Sequence, residues 1–338
     1  MKYLPEFTVS IIIPTFNGAS RIGPCLDALL RQKGAAQKVE ILVVDDGSTD
    51  NVAEIVGRYS DVQLISQANA GPAAARNRGV LEASSEIVIF TDDDCIPASG
   101  WLGAMMAPFE GLDVVGVKGA YRTRQKQLIA RFVQIEYEDR YRRMSKFPNI
   151  DFIDTYSAAF RCDKFLEVGG FDADFPMACA EDAEFSYRMS ARGWKMRFAP
   201  DAVVYHTHPA TLSKYLAKKY KFAFWRMLAV RKNPHKAVID SHTPQLMKLQ
   251  LLFPLAFVSA LVFDLLEKPL VPLSLIMLAI FLFSTLPFAV RATAKDFWAG
   301  MVSPLLLALR ACAQLLGVAG GFIHAGRSRA ALPSKSAA

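Results

Sequence analysis

Strand-like and helix-like patterns alternate along the first part of the chain. Val9-Ser10-Ile11-Ile12-Ile13 is a short, almost continuous apolar run of the kind a buried parallel strand requires, and Pro14 ends it before the turn Thr15-Phe16-Asn17-Gly18. Ile22, Cys25, Leu26, Leu29 and Leu30 then recur at helical spacing and predict an amphipathic helix that stops near Gly34. Val39 to Val44 predicts a second strand, closed by Asp45-Asp46-Gly47-Ser48-Thr49-Asp50, where Asp50 or Ser48 caps the next helix. Val62 to Ile65 predicts a third strand, Gly71-Pro72 opens a helix that runs to Leu81, and Ile87 to Phe90 predicts a fourth strand. This alternation implies βαβ units, a mostly parallel sheet and right-handed crossovers. Ligands of such sheets bind beyond the carboxyl ends of the strands. Pro14, Asp45-Asp46 and Asp92-Asp93-Asp94 all fall at that edge.

The pattern continues with a strand at Val114 to Val117 and a long helix from Gln127 to Met144, with Leu128, Phe132, Ile135 and Tyr141 among its apolar positions. Gly169-Gly170 permits a tight turn before Phe171-Asp172. In the segment that follows, Phe185, Met189 and Trp194 are spaced as a core face, and Glu181 and Asp182 fall in the first helical turn, where exposed amides favour carboxylates. Met196 to His208 reads as a strand ending in His206 and His208, which point the same way and can either share a metal or serve the structure.

From about Leu246 the pattern changes to long apolar stretches. Leu249 to Leu266 and Leu270 to Val290 are each long enough to span a bilayer core, joined by the short hinge Glu267-Lys268-Pro269. A third stretch, Ala299 to Ile323, contains Arg310 and a Gly317-x-x-x-Gly321 pattern suited to close helix packing. Positive charge lies before the first stretch, at Arg291 and Lys295 after the second, and at Arg327, Arg329 and Lys335 after the third. A full third span would put the last group outside, against the positive-inside rule, and would bury Arg310 at mid-bilayer. An interfacial or re-entrant third helix, with a cytoplasmic C-terminus, is therefore the favoured expectation over a full span.

Composition narrows the class. The chain has 338 residues, is 52% hydrophobic and carries a net charge of +7. Lys and Arg concentrate between Lys214 and Lys236, interleaved with Tyr215, Tyr220, Phe222, Phe224 and Trp225, a mixture that suits a helix in the headgroup region of an anionic membrane and argues against a nucleic-acid partner. The five cysteines are widely separated and form no C-x-x-C pair, so neither a zinc site nor a disulfide framework is expected. The N-terminal apolar run has strand length and not the length of a signal peptide, so the catalytic part is expected to stay in the cytoplasm.

Three adjacent carboxylates after a core strand cost free energy unless a cation or a base offsets their repulsion. Asp92 and Asp94 share one side of an extended segment and can serve one hard metal. The first turn lacks G-x-G-x-x-G, which weakens a dinucleotide-binding reading, and no G-x-x-x-x-G-K is present.

Taken together, these stretches resemble the family-2 glycosyltransferases with the GT-A fold. The matching residues are Val9 to Asn17, Val43 to Asp50, Gly71 to Gly79, the Asp92-x-Asp94 pair, Gly169 to Asp172 and Glu181-Asp182, in the family's order over roughly residues 8 to 208. The resemblance implies a mostly parallel α/β sheet flanked by helices and an inverting transfer from a nucleotide-diphosphate sugar. It implies that Pro14, Thr15 and Asp46 hold the nucleotide base and ribose, and that Arg76 and Glu181 stand at donor or substrate positions. Asp94 is implied as the direct ligand of Mg²⁺ or Mn²⁺, with Asp92 beside it and nearer the ribose. His206 matches a position where some relatives place a further metal ligand, and a structural role stands equally open. Asp93 is carried with the substrate-binding residues or is the solvated middle of the turn. Asp182 matches the catalytic base.

The expected organisation is a cytosolic catalytic domain over residues 1–210, a basic-aromatic interfacial segment over 211–245, a membrane region over 246–326 and a tail over 327–338. With no Q-x-x-R-W motif after the base, single-sugar addition is expected, not processive synthesis. The acceptor expected is a lipid-linked saccharide or polyprenyl phosphate at a bacterial inner membrane, in a cell-envelope pathway. A sugar nucleotidyltransferase would need a Gly-rich, Arg-containing loop where Pro14 to Gly18 stands, and a non-catalytic membrane scaffold has no need of both Asp94 and Asp182.

Overall fold

The expected alternation is present in the computed structural model, which describes residues 8–32, 38–111, 113–173, 180–232, 241 and 243–330. Gly34, Cys179, Lys236 and Lys335 lie outside the described residues. The chain divides into two compact units, one of Met1–Gln125, Arg140–His208 and Asp240–His242, the other of Lys126–Asp139, Pro209–Ile239 and Thr243–Ala338. The second unit thus takes in a piece of chain from the middle of the enzyme-like half.

In the first unit, β1 (Thr8–Thr15), β2 (Lys38–Asp45), β3 (Gln63–Ser66) and β4 (Ile87–Thr91) are linked by α1 (Ile22–Leu30), α2 (Val52–Val56) and α3 (Pro72–Glu82). These strands pair in parallel as β3-β2-β1-β4, with Thr15 opposite Asp45 and Asp45 opposite Ser66, so their carboxyl ends are level. The strand order reverses between β1 and β4, the place where α/β sheets bind ligands. Gly79 lets α3 approach β1, since a Cβ there would stand 2.4 Å from Ile12 Cγ2.

The sheet continues through β5 (Ile96–Pro97), α4 (Trp101–Met106), a 3₁₀ turn (Ala107–Glu110), β6 (Val114–Arg122), α5 (Leu128–Met144), β7 (Ser157–Arg161), α6 (Cys162–Glu167), α7 (Glu181–Ala191) and β8 (Lys195–Tyr205). The full order is β3-β2-β1-β4-β7-β6-β8-β5, with β7 antiparallel to both of its neighbours. The strand reading of Met196 to His208 holds as far as Tyr205. Strand β7 escapes the hydrophobic pattern because Ser157-Ala158-Ala159 has little intrinsic β preference and is placed by its partners. Small side chains are required there: a Cβ on Gly119 of β6 would stand 2.1 Å from Ser157 Oγ and 2.4 Å from the Ala202 carbonyl.

An aromatic cluster of Phe90, Phe160, Phe165, Phe171 and Phe185 joins β4, β7, α6 and α7, with Phe165 to Phe185 and Phe171 to Phe185 centroids both at 4.8 Å. Offset and edge-to-face contacts of this kind add to simple area burial. The cluster fixes α7 against the strand that carries the aspartate triplet.

The second unit is helical: the first part of α5, then α8 (Leu212–Lys232), α9 (Gln245–Gln250), α10 (Phe253–Glu267), α11 (Leu273–Lys295) and α12 (Phe297–Ala330). Phe132, Val133 and Ile135 of α5 and Tyr215 of α8 share a core with Phe281, Ala292, Ala299, Leu306 and Leu307. By length and composition, three helical stretches suffice to cross a membrane: Gln245–Glu267, Leu273–Lys295 and Phe297–His324. Asp264 accepts hydrogen bonds from the Leu273 and Ser274 amides at 2.7 and 2.8 Å, capping α11 and closing the hinge between the first two.

Arg310 is not the uncompensated charge that the apolar pattern suggests. It is buried, pairs with Glu136 Oε1 at 2.7 Å and donates to Gln250 Oε1 at 3.1 Å. Glu136 also pairs with Lys219 at 2.9 Å and accepts from the Tyr215 hydroxyl at 3.2 Å.

Candidate active site

The site is built from loops at the carboxyl edge of the sheet. Thr15 Oγ1 donates to Asp93 Oδ2 at 2.7 Å, and Arg21 closes on both Asp93 oxygens through Nε at 3.1 Å and Nη2 at 2.9 Å. Gly18 is required by this arrangement, because a Cβ there would lie 2.1 Å from Thr15 Oγ1 and 2.2 Å from Asp93 Oδ2. Burial raises the Asp93 carboxyl above its ordinary pKa even though Arg21 and Thr15 pull it down. Asp93 is therefore not the solvated middle of the turn: it is buried, and its carboxylate fastens the β4 loop to the β1 loop.

Asp46 is used in a similar way. Its Oδ1 accepts from Gln67 Nε2 and the Ala70 amide, both at 2.8 Å, and its Oδ2 accepts from the Gly71 amide at 2.8 Å. The buried carboxylate thus organises the approach to α3. Pro14, Thr15 and Asp46 do gather at one edge, but the Thr15 hydroxyl and the Asp46 carboxylate are engaged inside the protein.

Burial alternates along the triplet: Asp92 and Asp94 are half-buried on the open side and Asp93 points inward, as the period of an extended segment requires. Arg76, on α3, is 2% exposed and does not reach solvent. Its Nη2 donates to Asp92 Oδ1 at 2.9 Å and its Nη1 to Glu181 Oε1 at 3.0 Å. Burial works against the guanidinium charge, but Asp92, Glu181 and Asp182 outweigh it and raise its pKa. Arg76 thus joins two carboxylates from distant parts of the chain. Glu181, also buried, accepts a further bond from the Ala180 amide at 3.1 Å.

Asp182 begins α7 beside Glu181. Burial and the Glu181 charge raise its pKa to about 7, while the Ala183 amide, Arg76 and Lys118 pull it down. The Ser186 hydroxyl donates to the Asp182 carbonyl at 2.7 Å, and the Ile153 amide donates to Ser186 Oγ at 3.0 Å, so the segment before β7 is sewn to this turn.

Lys118 was not anticipated. It is fully buried on β6, bonded to Asp154 and, at 3.0 Å, to the Tyr156 hydroxyl, and burial pushes its ammonium well below the ordinary pKa. The available signal was a lysine inside the apolar run Val114 to Ala120, where an unpaired ammonium is not tolerated.

Asp94, Cys95 and His206 offer ligand atoms that all lie within 4.8 Å of one another. His206 Nδ1 stands 3.3 Å from Asp94 Oδ1 and is buried without a hydrogen-bond partner. Its ring stacks on Tyr121 at 4.6 Å, and its amide donates to the Arg122 carbonyl at 2.9 Å, so the imidazole is held in place. Burial, with the Asp92 and Asp94 charges, raises the Cys95 thiol well above its ordinary pKa, which keeps it protonated and a poor ligand. A carboxylate and an orphaned imidazole nitrogen fit a divalent cation such as Mn²⁺. His208 is buried beside this group, its ring edge-on to Tyr121 at 5.9 Å and to His206 at 5.6 Å.

Residues 10–169 match the family model Glycosyl transferase family 2, and residues 102–310 match Glycosyl transferase family group 2. The chain belongs to glycosyl transferase family 2. It is 31% identical over 221 residues to glycosyltransferase AglE of Haloferax volcanii, covering 62% of this chain and 70% of that one. It is 27% identical over 220 residues to the pre-mycofactocin glycosyltransferase of Mycobacterium tuberculosis, covering 62% of this chain and 45% of that relative's length. Among solved structures, the mannosyltransferase PcManGT from Pyrobaculum calidifontis, in complex with GDP-Man and Mn²⁺, is similar with a TM-score of 0.62 and 20% identity, over 94% of this chain and 87% of that one. That likeness is one of fold, GT-A in type, and it extends into the C-terminal helices of this family member.

Proposed function

We propose that this family-2 protein is a membrane-anchored inverting glycosyltransferase that moves a sugar from a nucleotide-diphosphate sugar to a membrane-associated acceptor. The observation that carries the reading is the Arg76 bridge. It holds Asp92, at the end of β4, and Glu181, at the start of α7, on one guanidinium, and so supports a single site made from the aspartate triplet and Asp182.

In this reading Asp182 is the base. A carboxylate with a pKa of about 7 is ionised in a useful fraction at neutral pH and basic enough to accept a proton from a sugar or phosphate hydroxyl. Asp182 takes that proton as the acceptor oxygen bonds to the anomeric carbon; the bond from that carbon to the diphosphate oxygen breaks, and its electron pair leaves with the nucleotide diphosphate. A single displacement inverts configuration. Asp94 and His206, with Asp92 alongside, are the residues that would hold a divalent cation, whose charge stabilises the leaving diphosphate when it is bound. The archaeal mannosyltransferase of like fold binds GDP-Man and Mn²⁺, which supports the same donor class and metal class here. Pro14, Thr15 and Asp46 line the donor side through backbone and loop shape.

The acceptor is a lipid-linked saccharide or polyprenyl phosphate at the inner membrane of a bacterial cell, the catalytic unit is cytosolic, and one sugar is added per encounter. Holding the site at the bilayer raises the effective concentration of such an acceptor. Full-length protein in detergent, screened against nucleotide sugars with and without Mn²⁺ or Mg²⁺, should release nucleotide diphosphate from at least one donor. If no nucleotide sugar is bound or hydrolysed in either metal, the reading is wrong.

A further inference from the structure

Helices α8 and α12 pack along one another at very close range. A Cβ on Gly317 would lie 2.4 Å from the Tyr220 carbonyl oxygen and 2.9 Å from Ala223 Cβ. On Gly321 it would meet the Phe224 carbonyl oxygen at 2.6 Å and Met227 Cβ at 3.1 Å. Farther along, the His324 ring lies 5.5 Å from Phe224 and 6.1 Å from Trp225. As α12 advances, its partners on α8 advance as well, so the two helices run parallel and share the same depth.

That shared depth conflicts with a crossing. Helix α8 carries Lys214, Lys218, Lys219, Lys221 and Arg226, with Lys214 and Lys221 exposed. A helix with five cations over about three turns is not a membrane span, and its parallel partner cannot enter the hydrocarbon without taking it along. Nearer the start of α12, Arg310 is held by Glu136 of α5, whose neighbours Glu138 and Asp139 pair with Lys295 and Arg291 at the end of α11. Charged pairs therefore surround the early part of α12 as well. Helices α10 and α11 differ: Leu255, Val258, Leu261, Leu275, Ile280 and Phe283 are exposed along them, and acidic or basic residues occur only toward their ends.

We infer that α8 and α12 lie together as a parallel pair in the headgroup layer of an anionic bilayer, on the side where α8 begins, and that only α10 and α11 cross. This rests on the membrane-anchored reading above. The pair has the two surfaces such a site needs. Tyr220 and Phe222 of α8 and Leu316, Phe322 and Ile323 of α12 are exposed apolar groups that can seat at the acyl boundary, and Lys214 and Lys221 supply positive charge for lipid phosphates. The placement returns the C-terminal basic residues to the catalytic side, in keeping with the positive-inside rule.

The test uses the full chain in membranes. Leu270→Cys, at the exposed turn between α10 and α11, should react with a membrane-impermeant maleimide only from the face opposite the catalytic unit, and a reporter fused after Ala338 should report the catalytic face. A reporter on the opposite face, with Leu270→Cys labelled as expected, overturns the interfacial placement and leaves the anchor intact. Failure to label Leu270→Cys from the opposite face overturns the anchor and this inference together. A bimane on Leu316→Cys, in a Cys312→Ser background and in phosphatidylglycerol-containing vesicles, should be quenched at least twofold more by a shallow doxyl lipid than by a deep one; the reverse order overturns the placement.

Discussion

Asp92 and Glu181 are bridged by one buried guanidinium, with Arg76 Nη2 2.9 Å from Asp92 Oδ1 and Nη1 3.0 Å from Glu181 Oε1. The strand end that carries the aspartate triplet and the helix that starts with the acidic pair are therefore set by the same side chain. Arg76→Met should remove the buried cation that faces Glu181 and cost about 3–5 kcal/mol, as breaking a buried ion pair does. Thermal melting in detergent would measure it, and a loss below about 1 kcal/mol would show that the bridge is not what holds the two segments together. Arg76→Lys, unable to reach both carboxylates with fixed planar geometry, should recover only part of the stability.

The raised pKa of Asp182 gives the activity a direction in pH. The base must be ionised, so kcat/KM should rise with pH and level off above about 7. Stability moves the opposite way. The folded-state pKa lies above the ordinary 3.8, so the folded chain binds more protons than the unfolded one between about 4 and 7, and this group's contribution falls as pH rises through that window. A pH profile of donor turnover, alongside melting temperatures in the same buffers, would check both signs. Asp182→Asn should bind donor normally and lose at least 100-fold in turnover; impaired binding with unchanged turnover would reassign the residue.

Asp94 and His206 make different predictions for metal dependence. Asp94→Asn should abolish metal-dependent transfer, whereas His206→Ala should retain activity but need at least tenfold more Mn²⁺, the scale on which altered metal-site contacts act. An Mn²⁺ titration of nucleotide-diphosphate release gives both numbers. Equal Mn²⁺ requirements in wild type and His206→Ala would return the histidine to a structural role.

In the helical unit, Arg310→Met should destabilise by about 3 kcal/mol, toward the low end for a buried pair because Lys219 still faces Glu136. Combining it with Glu136→Gln should cost less than the sum of the two single changes, since the residues share one network. Additive losses in a double-mutant cycle by thermal melting would separate them.

Much of the catalytic unit could be read from order and periodicity alone. The run Val9 to Ile13, the strand ending in Asp45-Asp46, the helix opened by Gly71-Pro72 and the strand ending in Asp92-Asp93-Asp94 are local patterns. Hydrophobic period and turn residues act within a few positions and need no partner to be recognised. The same locality located the three apolar stretches and placed Asp182 in a first helical turn.

Partners across the sheet were decided elsewhere. Strand β7 forms from Ser157-Ala158-Ala159 because β4 and β6 flank it and Gly119 leaves room only for small side chains. Asp93, Asp46 and Arg76 looked like ligand contacts in the motif, yet the carboxylate oxygens of Asp93 and Asp46 are engaged by Arg21 and Thr15 and by Gln67 and the loop before α3, and the two Nη atoms of Arg76 by Asp92 and Glu181. The apolar pattern around Arg310 gave no sign of Glu136, far away in the chain, and an isolated arginine there argued only for expense. Burial makes each of these charges costly unless a partner is present, and that partner comes from whichever segment the tertiary fold brings within reach. Sequence alone therefore determined most of the elements, their order and the chemical types at the sheet edge, while the tertiary structure placed β7 and decided which of those charged groups are held by partners inside the protein.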